Sequence, residues 1–200
     1  MPAAAPPAEP PDEPTPAITL DRCVVLVGLM GAGKSAIGRR MAHKLSLPFR
    51  DSDDEIEAAA GCPIPEIFSR YGEPAFRDVE RKVVLRLLDE SPHILATGGG
   101  AFMDREIREA VGGKAISIWL KAPLGVLVDR TARRGNRPLL ATGDVRAKLK
   151  SLMEVRYPVY GTADITVDSR NRPLDVMTDS CVSELSRFLE ARQSSETAGF

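Results

Sequence analysis

An apolar run, Cys23-Val24-Val25-Leu26-Val27, leads without a break into Gly28-Leu29-Met30-Gly31-Ala32-Gly33-Lys34-Ser35, and an amphipathic helical pattern follows over 34–45. No other stretch restricts the fold as strongly. The octapeptide fits G-x-x-x-x-G-K-[ST] in the strand, loop and helix setting that gives the pattern its physical meaning. Glycines let the main chain wrap an anion closely, so that its N–H groups and the start of the next helix face phosphate oxygens. A lysine at position 34 then reaches β- and γ-phosphates, and a hydroxyl at Ser35 can ligate Mg²⁺. The segment predicts a phosphate-binding loop for a nucleoside triphosphate, formed by Gly31, Ala32, Gly33, Lys34, Ser35 and Ala36, with Lys34 as a candidate catalytic residue.

Short apolar runs near 23–27, 47–50, 94–97, 115–120 and 164–167 alternate with helical patterns near 34–45, 53–60, 64–71, 74–90, 104–111, 123–133, 144–156 and 174–191. That alternation predicts an α/β fold of three layers, a parallel sheet covered by helices on both faces. With 200 residues, 43% of them hydrophobic and 28% charged, the chain suits one domain with a sizeable core, placed over 18–192. Residues 1–17 are rich in Pro and Ala and lack the basic start and apolar centre of a secretory signal, which predicts a disordered tail. A second short, flexible tail is expected over 193–200.

The net charge is −1, so the field of the whole protein gives no reason to expect nucleic acid or an anionic membrane as partner. The longest apolar runs fall well short of the ~20 residues that a membrane-crossing helix needs. Cys23, Cys62 and Cys181 are widely spaced and form no C-x-x-C pair, which argues for small hydrophobes in a reducing cytoplasm over disulfides or zinc. His43 and His93 show no metal-ligand spacing, and both read as structural. Trp119 reads as core packing.

A sheet of this kind gathers ligands at the carboxyl ends of its strands, so the segments just after each strand carry the chemistry. After the second strand, Asp51-Ser52-Asp53-Asp54-Glu55 opens a helix. Ser52 or Asp54 suits the helix cap, while Asp51, at the strand edge facing the phosphate loop, suits a magnesium shell. After the third strand, Gly98-Gly99-Gly100 stands where many proteins with this loop carry an acidic residue, and it predicts a small ligand lying against bare backbone. Arg77 and Glu80 share one helix face. They form either a surface ion pair contributing well under ~1 kcal/mol or an arginine oriented to grip a substrate carboxylate. The basic, proline-ended run from Arg130 to Leu140 predicts a flap over phosphates, since no aromatic residue interleaves it as a nucleic-acid patch would require. Arg156 is expected to close its helix, where a cation suits the dipole.

In their order along the chain, G-L-M-G-A-G-K-S, D-S-D, F-R-D-V-E, G-G-G-A, R-P-L-L and R-Y-P-V-Y make residues 20–190 resemble the shikimate kinase family. The resemblance implies a nucleoside-monophosphate-kinase-like fold, with a five-stranded parallel sheet in the order 2-3-1-4-5, and ATP-dependent phosphorylation of the shikimate 3-hydroxyl in aromatic amino acid biosynthesis. By it, Asp51 with Ser35 supports Mg²⁺, and Asp53 bonds the shikimate hydroxyls and is the candidate base. Arg77 and Arg156 hold the carboxylate, Gly98, Gly99 and Gly100 line the substrate pocket and Phe76 walls it. Arg137, in a lid near 130–141, reaches the transferring phosphate as a catalytic residue, and Arg130 with Pro173 flanks the adenine. Shikimate and ATP are the implied partners of a cytoplasmic monomer. A gluconate kinase would share the fold and the class of acceptor, and G-G-G-A with R-Y-P-V-Y argue against it. Ala36 stands where the family often has threonine, and the segment 168–173 is slightly shortened.

Overall fold

A computed structural model describes residues 20–132 and 144–197, with side chains to residue 195. Strand β1 (Cys23–Val27) is buried along its whole length, as an uninterrupted apolar run must be when both faces of a parallel sheet are covered. It pairs in parallel with β3 (Ile94–Ala96) on one side and β4 (Ala115–Lys121) on the other. Strand β2 (Phe49–Asp51) adds to β3 and β5 (Ile165–Asp168) to β4, which gives the five-stranded order β2-β3-β1-β4-β5 with every pairing parallel. The fold class and the strand order implied by the family resemblance are both present.

Among the described residues seven α-helices follow in chain order: α1 (Lys34–Leu45), α2 (Ser52–Ala60), α3 (Ile64–Leu88), α4 (Arg105–Lys114), α5 (Leu124–Ala132), α6 (Val145–Tyr160) and α7 (Leu174–Thr197). Helix α1 packs on α7, α3 on α2 and α4, and α5 on α6. Leu26, Ile37, Met41, Leu87, Ile116 and Ile118 are fully buried between these layers, each worth roughly 1.5–3 kcal/mol relative to exposure. Because every strand runs the same way, their carboxyl ends open onto one edge of the sheet, and the loops after β1, β2, β3 and β5 meet there.

The elements depart from the sequence expectations in four places. Strand β2 begins two residues later than expected and includes Asp51. The helices expected over 64–71 and 74–90 form one run, α3, bent at Gly72 with φ 79° and ψ 175°. Helix α6 passes position 156 and Pro158 to end at Tyr160, because a proline in the final turn removes only one helical hydrogen bond. Helix α7 continues to Thr197, so the first residues of the expected C-terminal tail are helical. No glycine or proline interrupts it there, and Ser194 and Ser195 return hydroxyl bonds to the Glu190 and Ala191 carbonyls. Residues 1–17, Arg137 and the flap from 133 onward lie outside the described residues.

Candidate active site

The phosphate loop takes its shape from three glycines with positive φ, Gly28 at 147°, Gly31 at 83° and Gly33 at 101°. A side chain at any of them would be strained, and a Cβ at Gly28 would also lie 2.9 Å from the Leu120 carbonyl oxygen. Gly33 is the cap position of α1 and supplies no side-chain acceptor. The first N–H groups of that helix are thus left facing the loop, an arrangement suited to an anion. Lys34 Nζ donates to the carbonyls of Gly28 at 2.7 Å and Leu29 at 3.2 Å, which holds the ammonium over the loop from which it springs.

Ser35 Oγ donates to Asp51 Oδ2 at 2.7 Å, joining the loop to the end of β2. Asp51 is also the cap of α2, its other oxygen accepting from Asp53 N at 3.2 Å. The cap therefore falls on Asp51 and not on Ser52 or Asp54. Ser52 is buried and accepts from Gly98 N at 2.9 Å, while Asp54 is exposed and 3.7 Å from Arg39. Ser35 and Asp51 present two hard oxygens. Among the described residues no group of three or more His, Cys, Asp or Glu side chains could hold a metal by itself. The donors fit a small divalent ion that keeps water and takes its remaining ligands from phosphate oxygens.

Beside the loop lies a cavity of about 490 Å³ that brings together Asp53, Phe76, Arg77, Gly98, Gly99, Gly100 and Arg156, the full set of expected substrate residues, with Met30, Phe68 and Glu80. Phe76 stacks on Phe68 with centroids 4.6 Å apart, giving the cavity an apolar wall. Arg77 Nη1 donates to Glu80 Oε2 at 2.6 Å, while its Nε and Nη2 donate to Glu73 Oε1 at 3.2 and 3.0 Å. Glu80 is 2% exposed, so the pair is no surface ion pair. Burial pushes the Glu80 carboxyl above the usual carboxylate range, against the pull of Arg77. Burial alone would lower the Arg77 guanidinium, and its two carboxylate partners outweigh that and raise it.

The glycine run is explained by close approach. A Cβ at Gly98 would lie 2.7 Å from Glu80 Oε1 and 3.0 Å from Asp53 Oδ1, and one at Gly100 would overlap the Arg77 guanidinium. Glu80 Oε1 itself is buried and has no hydrogen-bond partner among the described residues. Arg156 Nη1 donates to the Gly99 carbonyl at 2.7 Å, and the Tyr160 hydroxyl donates to the same oxygen. Arg156 therefore does not serve as a cation at the end of its own helix, because α6 runs a further turn beyond it and its side chain reaches across to the glycine loop.

On the other side of the phosphate loop, a pocket of about 320 Å³ is lined by Gly31, Gly33, Ala36, Arg130, Asn171, Arg172 and Met177, among others. Arg130 donates to the Ala32 carbonyl at 3.3 Å, to Ser169 Oγ at 3.2 Å and to the Arg170 carbonyl at 3.1 Å. Pro173 lies between the lining residues Arg172 and Leu174 and offers its carbonyl to Met177 N in the first turn of α7. Trp119 and His93 are buried at 5% and 2% exposure, and the three cysteines are free. Sequence reasoning did not assign Met30, Phe68, Ser169 or Tyr160, and gave Ser52 only a capping role. Tyr160 alone carried a signal, one turn after Arg156 in R-Y-P-V-Y.

A glycine-rich phosphate loop on a five-stranded parallel sheet, flanked by a base-sized pocket and by a cavity with two arginines, defines a P-loop small-molecule kinase. The family model described as shikimate kinase matches residues 30–186. A shikimate kinase of Mesorhizobium japonicum is 52% identical over 166 residues, covering 83% of this chain and 82% of its own. The solved shikimate kinase of Acinetobacter baumannii in complex with shikimate superposes with a TM-score of 0.77 at 35% identity, over 86% of this chain and 94% of that one. A gluconokinase of Sinorhizobium meliloti reaches a TM-score of 0.58 at 19% identity, with 88% of this chain and 97% of that one covered, and shares the fold alone. The chain belongs to the shikimate kinase family.

Proposed function

We propose that the protein transfers the γ-phosphoryl group of ATP to the 3-hydroxyl of shikimate, releasing shikimate 3-phosphate and ADP. The observation that carries this reading is the convergence of Arg77, Arg156 and Asp53 on one cavity beside the phosphate loop. Two guanidinium groups suit one carboxylate, and a carboxylate among backbone amides suits a ring of hydroxyls. Phosphoryl transfer asks for positioning and charge neutralisation more than for covalent chemistry. Lys34, released from the Gly28 and Leu29 carbonyls, neutralises the β- and γ-phosphates, and Asp53 orients the attacking hydroxyl and accepts its proton. Arg137, outside the described residues, is assigned to the transferring group, and Arg130 and Pro173 to the adenine. Mg²⁺, held by Ser35 with support from Asp51, would draw charge from the phosphate oxygens.

Among the described residues no helix is long and apolar enough to cross a membrane. A cytoplasmic monomer is the form proposed. ADP release measured with shikimate, with gluconate and with no acceptor tests the reading. Release that depends on shikimate is expected, whereas equal release with gluconate or without acceptor would overturn it.

A further inference from the structure

We propose that Ser169 is a positioning residue for the nucleotide: from the end of β5 it aims a main-chain N–H of the phosphate loop at the phosphates, an inference that rests on ATP placing its phosphates in that loop. Ser169 directly follows Asp168, the last residue of β5. It is 0% exposed, and its N–H donates to the Lys121 carbonyl at 2.7 Å, at the end of β4. The sheet therefore fixes its main chain, and a side chain with one rotatable bond to oxygen adds little freedom. Its hydroxyl is used twice. Oγ donates to the Ala32 carbonyl at 3.0 Å and accepts from Arg130 Nη1 at 3.2 Å, which engages the donor and one acceptor site.

The Ala32 carbonyl belongs to the peptide that joins Ala32 to Gly33. In a planar trans peptide the C=O and the N–H point opposite ways, so an oxygen held toward Ser169 turns the Gly33 N–H away from β5. That N–H has no hydrogen-bond partner among the described residues, and Gly33 is the cap of α1. It stands beside the first N–H groups of the helix as one more free donor for a phosphate oxygen. Gly33, at φ 101°, has no side chain to restrict its rotation, so this peptide takes its direction from what holds Ala32. Arg130 also donates to Ala32, but its Nη1 lies 3.3 Å from that oxygen and 3.5 Å from the Gly31 carbonyl, both long for an N–H donor. Ser169 makes the shorter bond from the stiffer side chain, and it steadies Nη1 as well.

Ser169→Ala removes the hydroxyl and leaves the Ala32 carbonyl with the long Arg130 contact. One lost hydrogen bond whose acceptor keeps a partner should lower the melting temperature by no more than about 4 °C. The KM for ATP should rise about tenfold, equivalent to ~1.4 kcal/mol. The inhibition constant of inorganic tripolyphosphate, a competitor that carries phosphates and no base, should rise by the same factor, while the KM for shikimate changes less than about twofold. ATP and tripolyphosphate constants that both stay at wild-type values would overturn the proposal. A loss confined to ATP would overturn it too, because Ser169 would then act on the base through Arg130 and not on the loop. Should Ser169→Ala fail to fold, Ser169→Cys, close in shape with a weak donor, decides in the same way: both constants raised at least about threefold support the proposal, and unchanged constants or a second failure to fold overturn it. Wild-type turnover of shikimate, measured first, reads the function itself, and the ratio of variant to wild-type constants reads Ser169.

Discussion

Arg77 and Glu80 show how far single residues carry the site. The planar fork of Arg77 is fixed by Glu80 and Glu73, and lysine would keep the charge while losing the two-point grip. Arg77→Lys should therefore weaken shikimate use by roughly 10- to 150-fold, the equivalent of a charge-assisted hydrogen bond of about 1.5–3 kcal/mol, and leave the KM for ATP near wild type; acceptor titration at saturating ATP measures both. Glu80 makes a second prediction. Its carboxyl titrates above its ordinary value of 4.5 in the folded protein, so the folded state keeps a proton at pH values where the unfolded chain has lost it. Stability then falls as pH rises from about 4.5 through the raised folded value. Glu80→Gln lacks that titration, so the melting temperature of the variant minus that of wild type should increase with pH across this window; a difference that stays flat from about pH 4 to pH 8 would refute the shift. The spacing of Arg77 and Glu80 was legible in the sequence, because residues three apart must share a helix face. The burial of Glu80 was not, since depth depends on the glycine loop packed over it. Asp51 was read as an oxygen ligand and missed as a cap, because a strand that ends directly in a helix puts its last carboxylate at the cap position.

The glycine run after β3 was read as bare backbone for a small ligand, and the distances add a second reason for it, since a side chain at Gly98 or Gly100 would meet Glu80, Asp53 or Arg77. The helix expected to close at Arg156 instead goes on through Pro158, far enough to bring the Tyr160 hydroxyl to the Gly99 carbonyl. The bend in α3 lies between these cases. Pro74 separated two helical patterns in the sequence, but the turn itself belongs to Gly72, whose φ of 79° and ψ of 175° fall in a region open essentially to glycine alone. Gly72→Ala should cost roughly 1–3 kcal/mol, lowering the melting temperature by several degrees. Thermal denaturation checks this, and an unchanged midpoint would show that the bend can relax without strain.

Across the whole molecule, alternation of strands and helices was enough to imply a parallel sheet, but nothing in periodicity orders the strands. That order entered through the family resemblance, because strand neighbours are chosen by crossovers that leave no local mark in the sequence. The resulting sheet puts two cavities on either side of one loop, so two ligands should stabilise the fold independently. A nucleotide or shikimate at about 100 times its Kd should each add ~2.7 kcal/mol, or roughly 5–10 °C in melting temperature, and the two shifts should at least sum when a non-hydrolysable nucleotide is used. A shift from only one of them would mean that the other cavity does not bind its assigned ligand. The chain also holds a single tryptophan. Trp119 is buried edge-on against Tyr157, with centroids 4.9 Å apart and planes at 80°, and Tyr157 follows Arg156 directly on α6. Excited selectively, this indole emits from a water-poor surrounding and from one place only. The protein thus carries an intrinsic optical reporter, its emission sensitive to any shift of the helix that delivers Arg156, and substrate arrival can be timed without attaching a dye.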